Sequence, residues 1–139
     1  MQKPILLVTI FFLIFTSCSK QSKQPAKNRY SNINAEQAKK IIDGNKNNEH
    51  FLILDVRTAS EFKEEHLKNA TNADVNLPGF KKKVTPMIKG NIVLLHCLSG
   101  ARSSGALETL KKLDYIKIYH LDSGILGWKA KNYPTIKLK

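Results

Sequence analysis

The chain has 139 residues and a formal net charge of +12, a length that fits one domain. Such a charge raises nucleic acid as a partner, but the lysines are scattered through several segments with neither a recognition helix nor an aromatic platform, so the charge reads as a solvated surface. The histidines at 50, 66, 96 and 120 include no i, i+4 pair. Their one cysteine neighbour is adjacent, His96-Cys97, and cannot converge on a single ion, so no metal site and no cofactor is expected.

Residues 1–17 read as a secretory signal, with one cation, Lys3, an apolar core over 5–15, and Thr16-Ser17 just ahead of Cys18. The core is too short to span a bilayer, which takes about 20 apolar residues. Because Cys18 directly follows small residues, the segment resembles a bacterial lipoprotein signal, although Phe15 stands where that class usually carries leucine. The resemblance implies that Cys18 is the lipidated first residue of the mature chain. It also implies a protein bound through that lipid to a membrane of the cell envelope, on its periplasmic or extracytoplasmic face. Residues 18–29, polar and lysine-rich with Pro25, read as a flexible tether of roughly 18 Å mean span. Residues 30–139 read as the folded domain, expected to be a monomer. With Cys18 lipidated, Cys97 has no intramolecular partner and is a free thiol.

Within the domain, Asn34 and Gln37 form a capping box that opens a helix ending before Asp43-Gly44, with Ile33 as the apolar staple ahead of it. The apolar run over 51–56 is of strand length and reads as buried on both faces. Thr58 and Glu61 make a second capping box, starting a short helix to about residue 65. A weaker strand is expected over 71–75, a turn at Pro78-Gly79, and an irregular helix over 80–88 interrupted at Pro86. Gly90-Asn91 leads into a strand that ends at Cys97. The helix after Ser103 repeats Leu107, Leu110 and Leu113 at helical spacing, a core stripe. Residues 116–121 form the last strand, followed by Gly124 and a helix whose Trp128 is core. Strands alternating with helices predict an α/β fold, a doubly wound parallel β-sheet with helices on both faces. Ligands bind such folds at the carboxyl ends of strands, and Cys97 sits at one.

A free cysteine titrates at about 8.5, and only its thiolate is nucleophilic. The run Cys97-Leu98-Ser99-Gly100-Ala101-Arg102-Ser103 is built to lower that value. Successive N–H groups in a strand-to-helix turn form an anion-binding concavity, the start of the next helix is its positive end, and Arg102 adds a full charge. Gly100 stands where the backbone must curl, and it takes positive φ without penalty. An unpaired cysteine ending a buried strand can also be a small core hydrophobe; the exported, unpartnered setting favours the reactive reading. His96 is read as structural, because adjacent strand residues face opposite sides of a sheet.

These residues resemble a known family, the single-domain rhodaneses, which are thiosulfate or polysulfide sulfurtransferases. Leu54-Asp55-Val56-Arg57-Thr58-Ala59-Ser60-Glu61-Phe62 is similar to the family's D-V-R-x-x-x-E-[FY], and His66-Leu67-x-x-Ala70 continues its G-H-I-x-G-A. His96-Cys97-Leu98-Ser99-Gly100-Ala101-Arg102-Ser103 resembles the active loop C-R-x-G-x-R-S, and Leu121-Asp122-Ser123-Gly124-x-x-x-Trp128 the closing L-x-G-G-x-x-x-W. Glu65, Asn69 and Ser123 replace family glycines, so altered turns are expected there. The resemblance implies a double displacement, in which Cys97 takes a sulfane sulfur, holds it as a persulfide and surrenders it to a thiol or cyanide. The loop from Leu98 to Ser103 would bind the substrate through its amides, Arg102 would orient an anionic donor, and Asp55 and Arg57 would brace the loop from behind. Leu98 stands where an arginine often follows the cysteine. The loop then offers one guanidinium rather than two, which shifts the expected donor from thiosulfate towards polysulfide or a protein persulfide.

Two other readings compete. A cysteine phosphatase loop resembles H-C-x-x-G-x-x-R-[ST], one residue longer between cysteine and arginine, and the shorter ring here is too small for a phosphate. A non-catalytic binding module of the same fold would need no equipped loop, against which Cys97, Gly100 and Arg102 stand.

Overall fold

Five strands, β1 (Tyr30–Ile33), β2 (Phe51–Asp55), β3 (Ala70–Asn72), β4 (Ile92–His96) and β5 (Lys117–Leu121), make one sheet in the order β1-β5-β4-β2-β3. Every neighbouring pair is parallel, so each connection is a crossover, and the chain supplies a helix for each. These are α1 (Ala35–Gly44), α2 (Ala59–Glu64), α3 (Phe80–Ile88) and α4 (Ala101–Leu110), with α5 (Gly124–Ala130) after the last strand. The computed structural model describes residues 29–138. The expected signal segment, Cys18 and residues 18–28 of the expected tether lie outside the described residues.

The apolar runs lie where two-sided burial is required. On β2 and β4, Leu54, Val93, Leu94 and Leu95 are fully buried. Period-two alternation deals them to opposite faces. Leu54, Val93, Leu95 and Ile118 pack with Val84, Ile88, Leu107 and Leu110 of α3 and α4. On the other side, Ile53, Leu94 and Leu121 pack with Ala35 and Ala38 of α1 and with Ile125 and Trp128 of α5. Helices thus cover both faces, as expected. Both capping boxes are formed: Asn34 and Gln37 reciprocate across the first turn of α1, and Thr58 and Glu61 do the same on α2.

From β2 the chain moves outward to β3, whereas from β4 it moves the opposite way to β5. The connections therefore diverge between β2 and β4. In an open α/β sheet this switch point leaves a crevice beyond the carboxyl ends of the strands. Val56 and Cys97 leave the two strands side by side, tied by the Val56 amide donating to the His96 carbonyl at 3.0 Å.

Several local expectations are revised. β1 was not expected, because it carries a single buried residue, Ile33; its pairing with β5 and not its own pattern makes it a strand. Arg29, the last residue of the expected tether, is tied into the fold. Its carbonyl accepts from the Ile118 amide at 2.8 Å, and its guanidinium donates to the Tyr115 carbonyl and lies 4.2 Å from the centre of the Tyr115 ring. β3 is shorter than expected and starts one residue earlier. α3 runs through Pro86 rather than stopping there. Val84 and Ile88 are fully buried on either side of the proline, and the Thr85 hydroxyl donates back to the Lys81 carbonyl at 2.7 Å.

The three residues in place of family glycines behave differently. Asn69 keeps a left-handed backbone, φ 64°, which asparagine tolerates better than other side chains. Glu65 is extended, and Ser123 takes an ordinary helical conformation. Ser123 finds its space one turn later: a Cβ at Gly127 would lie 2.1 Å from Ser123 Oγ and 2.3 Å from its Cβ. Gly127→Ala is therefore expected to destabilise the protein by about 1–3 kcal/mol. In a Ser123→Gly background the sign should reverse, to a gain of up to about 1 kcal/mol from helix propensity. Urea unfolding of the four proteins measures the coupling; equal effects of Gly127→Ala in both backgrounds would contradict it.

Candidate active site

Cys97 is 1% exposed, the free cysteine among the described residues. Its sulfur is met by the Gly100 amide at 3.2 Å and lies 3.3 Å from the Ser103 hydroxyl. Burial pushes the thiol up. The Ser103 hydroxyl and the amides of Ser103, Ser99 and Gly100 outweigh it, leaving the group below the ordinary thiol value. Arranging those amides around one sulfur requires the loop's carbonyls to point elsewhere, and α5 takes them. The amides of Ile125 and Leu126 donate to the carbonyls of Cys97 and Leu98 at 2.9 and 3.0 Å. The approach is so close that a Cβ on Gly124 would fall 2.4 Å from the Leu98 oxygen. Gly100 adopts φ +93°, and a Cβ there would fall 1.8 Å from the Asp122 oxygen. The glycine expected on grounds of curvature is thus required twice, by its backbone and by its neighbour.

Around this cradle Leu98, Ser99 and Ala101 are exposed at the mouth, Arg102 is partly buried, and Gly100 and Ser103 lie inside. The Arg102 guanidinium does not hang free. Its Nη1 and Nη2 donate to the two carboxylate oxygens of Glu61 at 2.7 and 2.6 Å, the paired geometry that a planar guanidinium favours. Glu61 is the same residue that caps α2, taking the Thr58 amide and hydroxyl at 3.0 and 2.8 Å. Arg102 above all, and Thr58 with it, hold the Glu61 carboxyl at about 2 against the opposing effect of burial. Since the folded value lies below the ordinary one, this stability is present above about pH 4.5 and is lost as pH falls through about 2. The shift corresponds to roughly 3 kcal/mol unscreened. With both side chains 28% exposed, about 1–2 kcal/mol is the realistic share. Glu61→Gln should cost that amount at pH 7 and nearly nothing at pH 2, as measured by unfolding at both values; a pH-independent difference would exclude the pair as its source.

Asp55 and Arg57, expected behind the loop, are buried and bonded to each other. The Arg57 amide and Nε donate to Asp55 Oδ1 at 3.0 Å, and Nη2 donates to Oδ2 at 2.7 Å. Arg57 Nη2 also donates to the Glu65 carbonyl at 2.6 Å, and Asn72 Nδ2 donates to the carbonyls of Asp55 and Arg57. These bonds brace the turn between β2 and α2, on which Glu61 stands. They reach the cysteine loop through the β2–β4 backbone pairing, not by bonds to residues 97–103. His96 sits beside Asp55 in register. Its Nε2 is buried without a hydrogen-bond partner, 3.7 Å from Asp55 Oδ2, and burial lowers its pKa. Its Nδ1 lies 3.2 Å from the Cys97 carbonyl, which ties the ring to the backbone.

Sequence reasoning missed three side chains. Glu61 reads in the sequence as a cap and as the acidic residue of the D-V-R-x-x-x-E-[FY] segment, without its pairing to Arg102. His120, on β5, places Nε2 2.8 Å from the Ser103 hydroxyl, and Asn32, on β1, places Oδ1 3.0 Å from His120 Nδ1. Nothing local marks these partners, because they come from other strands.

A family model described as a rhodanese-like domain matches residues 34–131. An uncharacterized protein of Synechocystis is 31% identical over 102 residues; the alignment covers 73% of this chain and 56% of that longer protein. A thiosulfate sulfurtransferase of Tolumonas auensis is 32% identical over 78 residues, covering 55% of this chain and 71% of the relative. The crystal structure of a rhodanese-related protein from Thermoplasma volcanium is similar with a TM-score of 0.63 at 25% identity, over 77% of this chain and 98% of that one. The family match takes in the cysteine loop, both strands that flank the crevice and His120. With the parallel sheet and its cysteine-bearing switch point already in place, the chain belongs to the rhodanese-like domain family.

Proposed function

We propose that the protein is a sulfurtransferase that carries a sulfane sulfur on Cys97. One observation supports this above the others: a buried cysteine sulfur at a strand's carboxyl end, ringed by N–H and O–H donors and held below its ordinary pKa. The Cys97 thiolate attacks the outer sulfur of the donor. A Cys97 S–S bond forms, the donor's bond to that sulfur breaks, and the donor remainder leaves with the electron pair. An acceptor thiolate or cyanide then attacks the terminal sulfur, and Cys97 departs as a thiolate. The charge at each stage lies on sulfur, where the loop's donors already point, so no reorganisation is needed during the reaction.

The donor follows from the mouth of the site. Arg102 is occupied by Glu61 and Leu98 is an exposed apolar side chain, so the loop presents no unpaired guanidinium to the oxygen acceptors of a thiosulfate's sulfonate end, which a polysulfide lacks. Polysulfide or a protein persulfide is favoured over thiosulfate. Mass spectrometry of the protein after incubation with each donor tests this: a gain of one sulfur on Cys97 is expected, faster with polysulfide. A Cys97 mass unchanged by every donor would sink the reading.

The lipid anchor remains a proposal on sequence alone. Among the described residues no helix is long and apolar enough to cross a membrane. Cells expressing the full chain are expected to incorporate labelled palmitate into the protein, and Cys18→Ala should abolish it; an unlabelled wild type would remove the anchor.

A further inference from the structure

Ser103 is fully buried, and its hydroxyl has one proton with three possible acceptors nearby. They are Cys97 Sγ at 3.3 Å, the Gly100 carbonyl at 3.0 Å and His120 Nε2 at 2.8 Å. Which of them receives it is decided on the far side of the imidazole. His120 Nδ1 faces Asn32 Oδ1, and an amide oxygen only accepts, so Nδ1 carries the ring's hydrogen. In the neutral ring Nε2 is then bare, and Ser103 is the group that donates to it. With its proton turned towards His120, the Ser103 oxygen offers its lone pairs to the Cys97 thiol.

We propose that Cys97, Ser103, His120 and Asn32 form a proton relay, in which His120 acts through Ser103 to take up the proton that Cys97 releases. The Cys97 S–H bond breaks and its proton passes to Ser103 Oγ, while the Ser103 O–H bond breaks and its proton passes to His120 Nε2. The products are a Cys97 thiolate and a His120 imidazolium, with protons and charge conserved. The Nε2–H now donates to Ser103, and the hydrogen that Ser103 received from Cys97 already points back at the thiolate. The state after transfer is therefore the one that holds the nucleophile, and no heavy atom has to move. Asn32 keeps the ring in the one tautomer that can do this.

Several groups bear on the charge of the ring. Burial is the largest influence on His120 and disfavours the charge; Asp122, just beyond β5, and the Gly100 backbone favour it, and Lys111, after α4, opposes it. Asn32, in register with His120 on β1, and Ser103 on α4 are uncharged. The thiolate beyond Ser103 is the balancing anion.

This deepens the reading above, resting on Cys97 as a nucleophile but not on what it attacks. The test is the pH dependence of alkylation of the full chain by iodoacetamide, in the wild type, His120→Gln, Ser103→Ala and the double variant. His120→Gln is expected to raise the midpoint by about one pH unit, slowing alkylation roughly tenfold below it, and to add nothing once Ser103 is alanine. An unshifted midpoint in folded His120→Gln overturns the relay. A measurement on the wild type alone is independent of how the variants fold. Followed by NMR on labelled imidazole nitrogens, His120 should titrate at higher pH with Cys97 free than with Cys97 capped as a methyl disulfide; identical titrations overturn the relay. Sulfur gain on the same preparations separates the two proposals. A shifted midpoint without sulfur gain keeps the relay and removes the sulfurtransferase, and sulfur gain with an unshifted midpoint does the reverse.

Discussion

Cys97→Ser is expected to lower sulfur transfer by at least about 10⁴-fold, the loss typical of removing a covalent nucleophile. The change is close to isosteric, and the Gly100 amide that meets Sγ at 3.2 Å can meet a hydroxyl oxygen instead, so stability should fall by no more than about 1 kcal/mol. What is lost is ionisation: a serine hydroxyl in the same ring of donors stays protonated at neutral pH. The measurement is transfer from polysulfide to a thiol, with mass spectrometry of the variant for an added sulfur. Retained sulfur on the serine variant would place the carrier elsewhere.

Gly100→Ala should be the most damaging glycine-to-alanine change among the described residues. A left-handed backbone costs a non-glycine residue about 1–2 kcal/mol. Overpacking against the Asp122 carbonyl, 1.8 Å from the new carbon, adds roughly 1–3 kcal/mol. A carbonyl fixed at the exit of β5 cannot swing aside as a lysine end can. The loop must therefore shift and draw the Gly100 amide off the sulfur, or the fold carries the strain. A loss of about 2–5 kcal/mol in urea unfolding, or a smaller loss with much slower alkylation of Cys97, is expected. A variant equal to the wild type in both measurements would contradict the close approach of Gly100 to the Asp122 carbonyl.

The parts legible in the sequence are those whose cause is local. Asn34 with Gln37 and Thr58 with Glu61 are each one turn apart, and the apolar runs of β2 and β4 announce burial without reference to any partner. The cysteine loop is equally local: strand end, small residues, glycine, helix start. What could not be read are the contacts the fold creates across the chain. Arg102 reaches Glu61 over 41 positions, His120 meets Ser103 over 17 and Asn32 over 88. Glu61 shows the difference within one side chain, since its cap on Thr58 is visible in the spacing and its grip on Arg102 is not. β1 was illegible for the same reason. A four-residue strand with one buried side chain has no periodicity to detect, and only the open flank of β5 makes it a strand.

That flank sets where the domain can be cut. The family match runs from residue 34 to 131, but β1 lies before it, and Trp128 Nε1 donates to the Pro134 carbonyl beyond it at 3.0 Å. His66 pairs with Ile136 there as well, amide to carbonyl in both directions at 2.8 Å. A fragment trimmed to the match would turn β5 into a raw sheet edge, its ladder groups open to any other chain that could add a strand. Recombinant pieces designed on family bounds should therefore clump, while those keeping residues 29–138 should stay dispersed. The smallest self-sufficient unit is longer at both ends than the part that can be recognised.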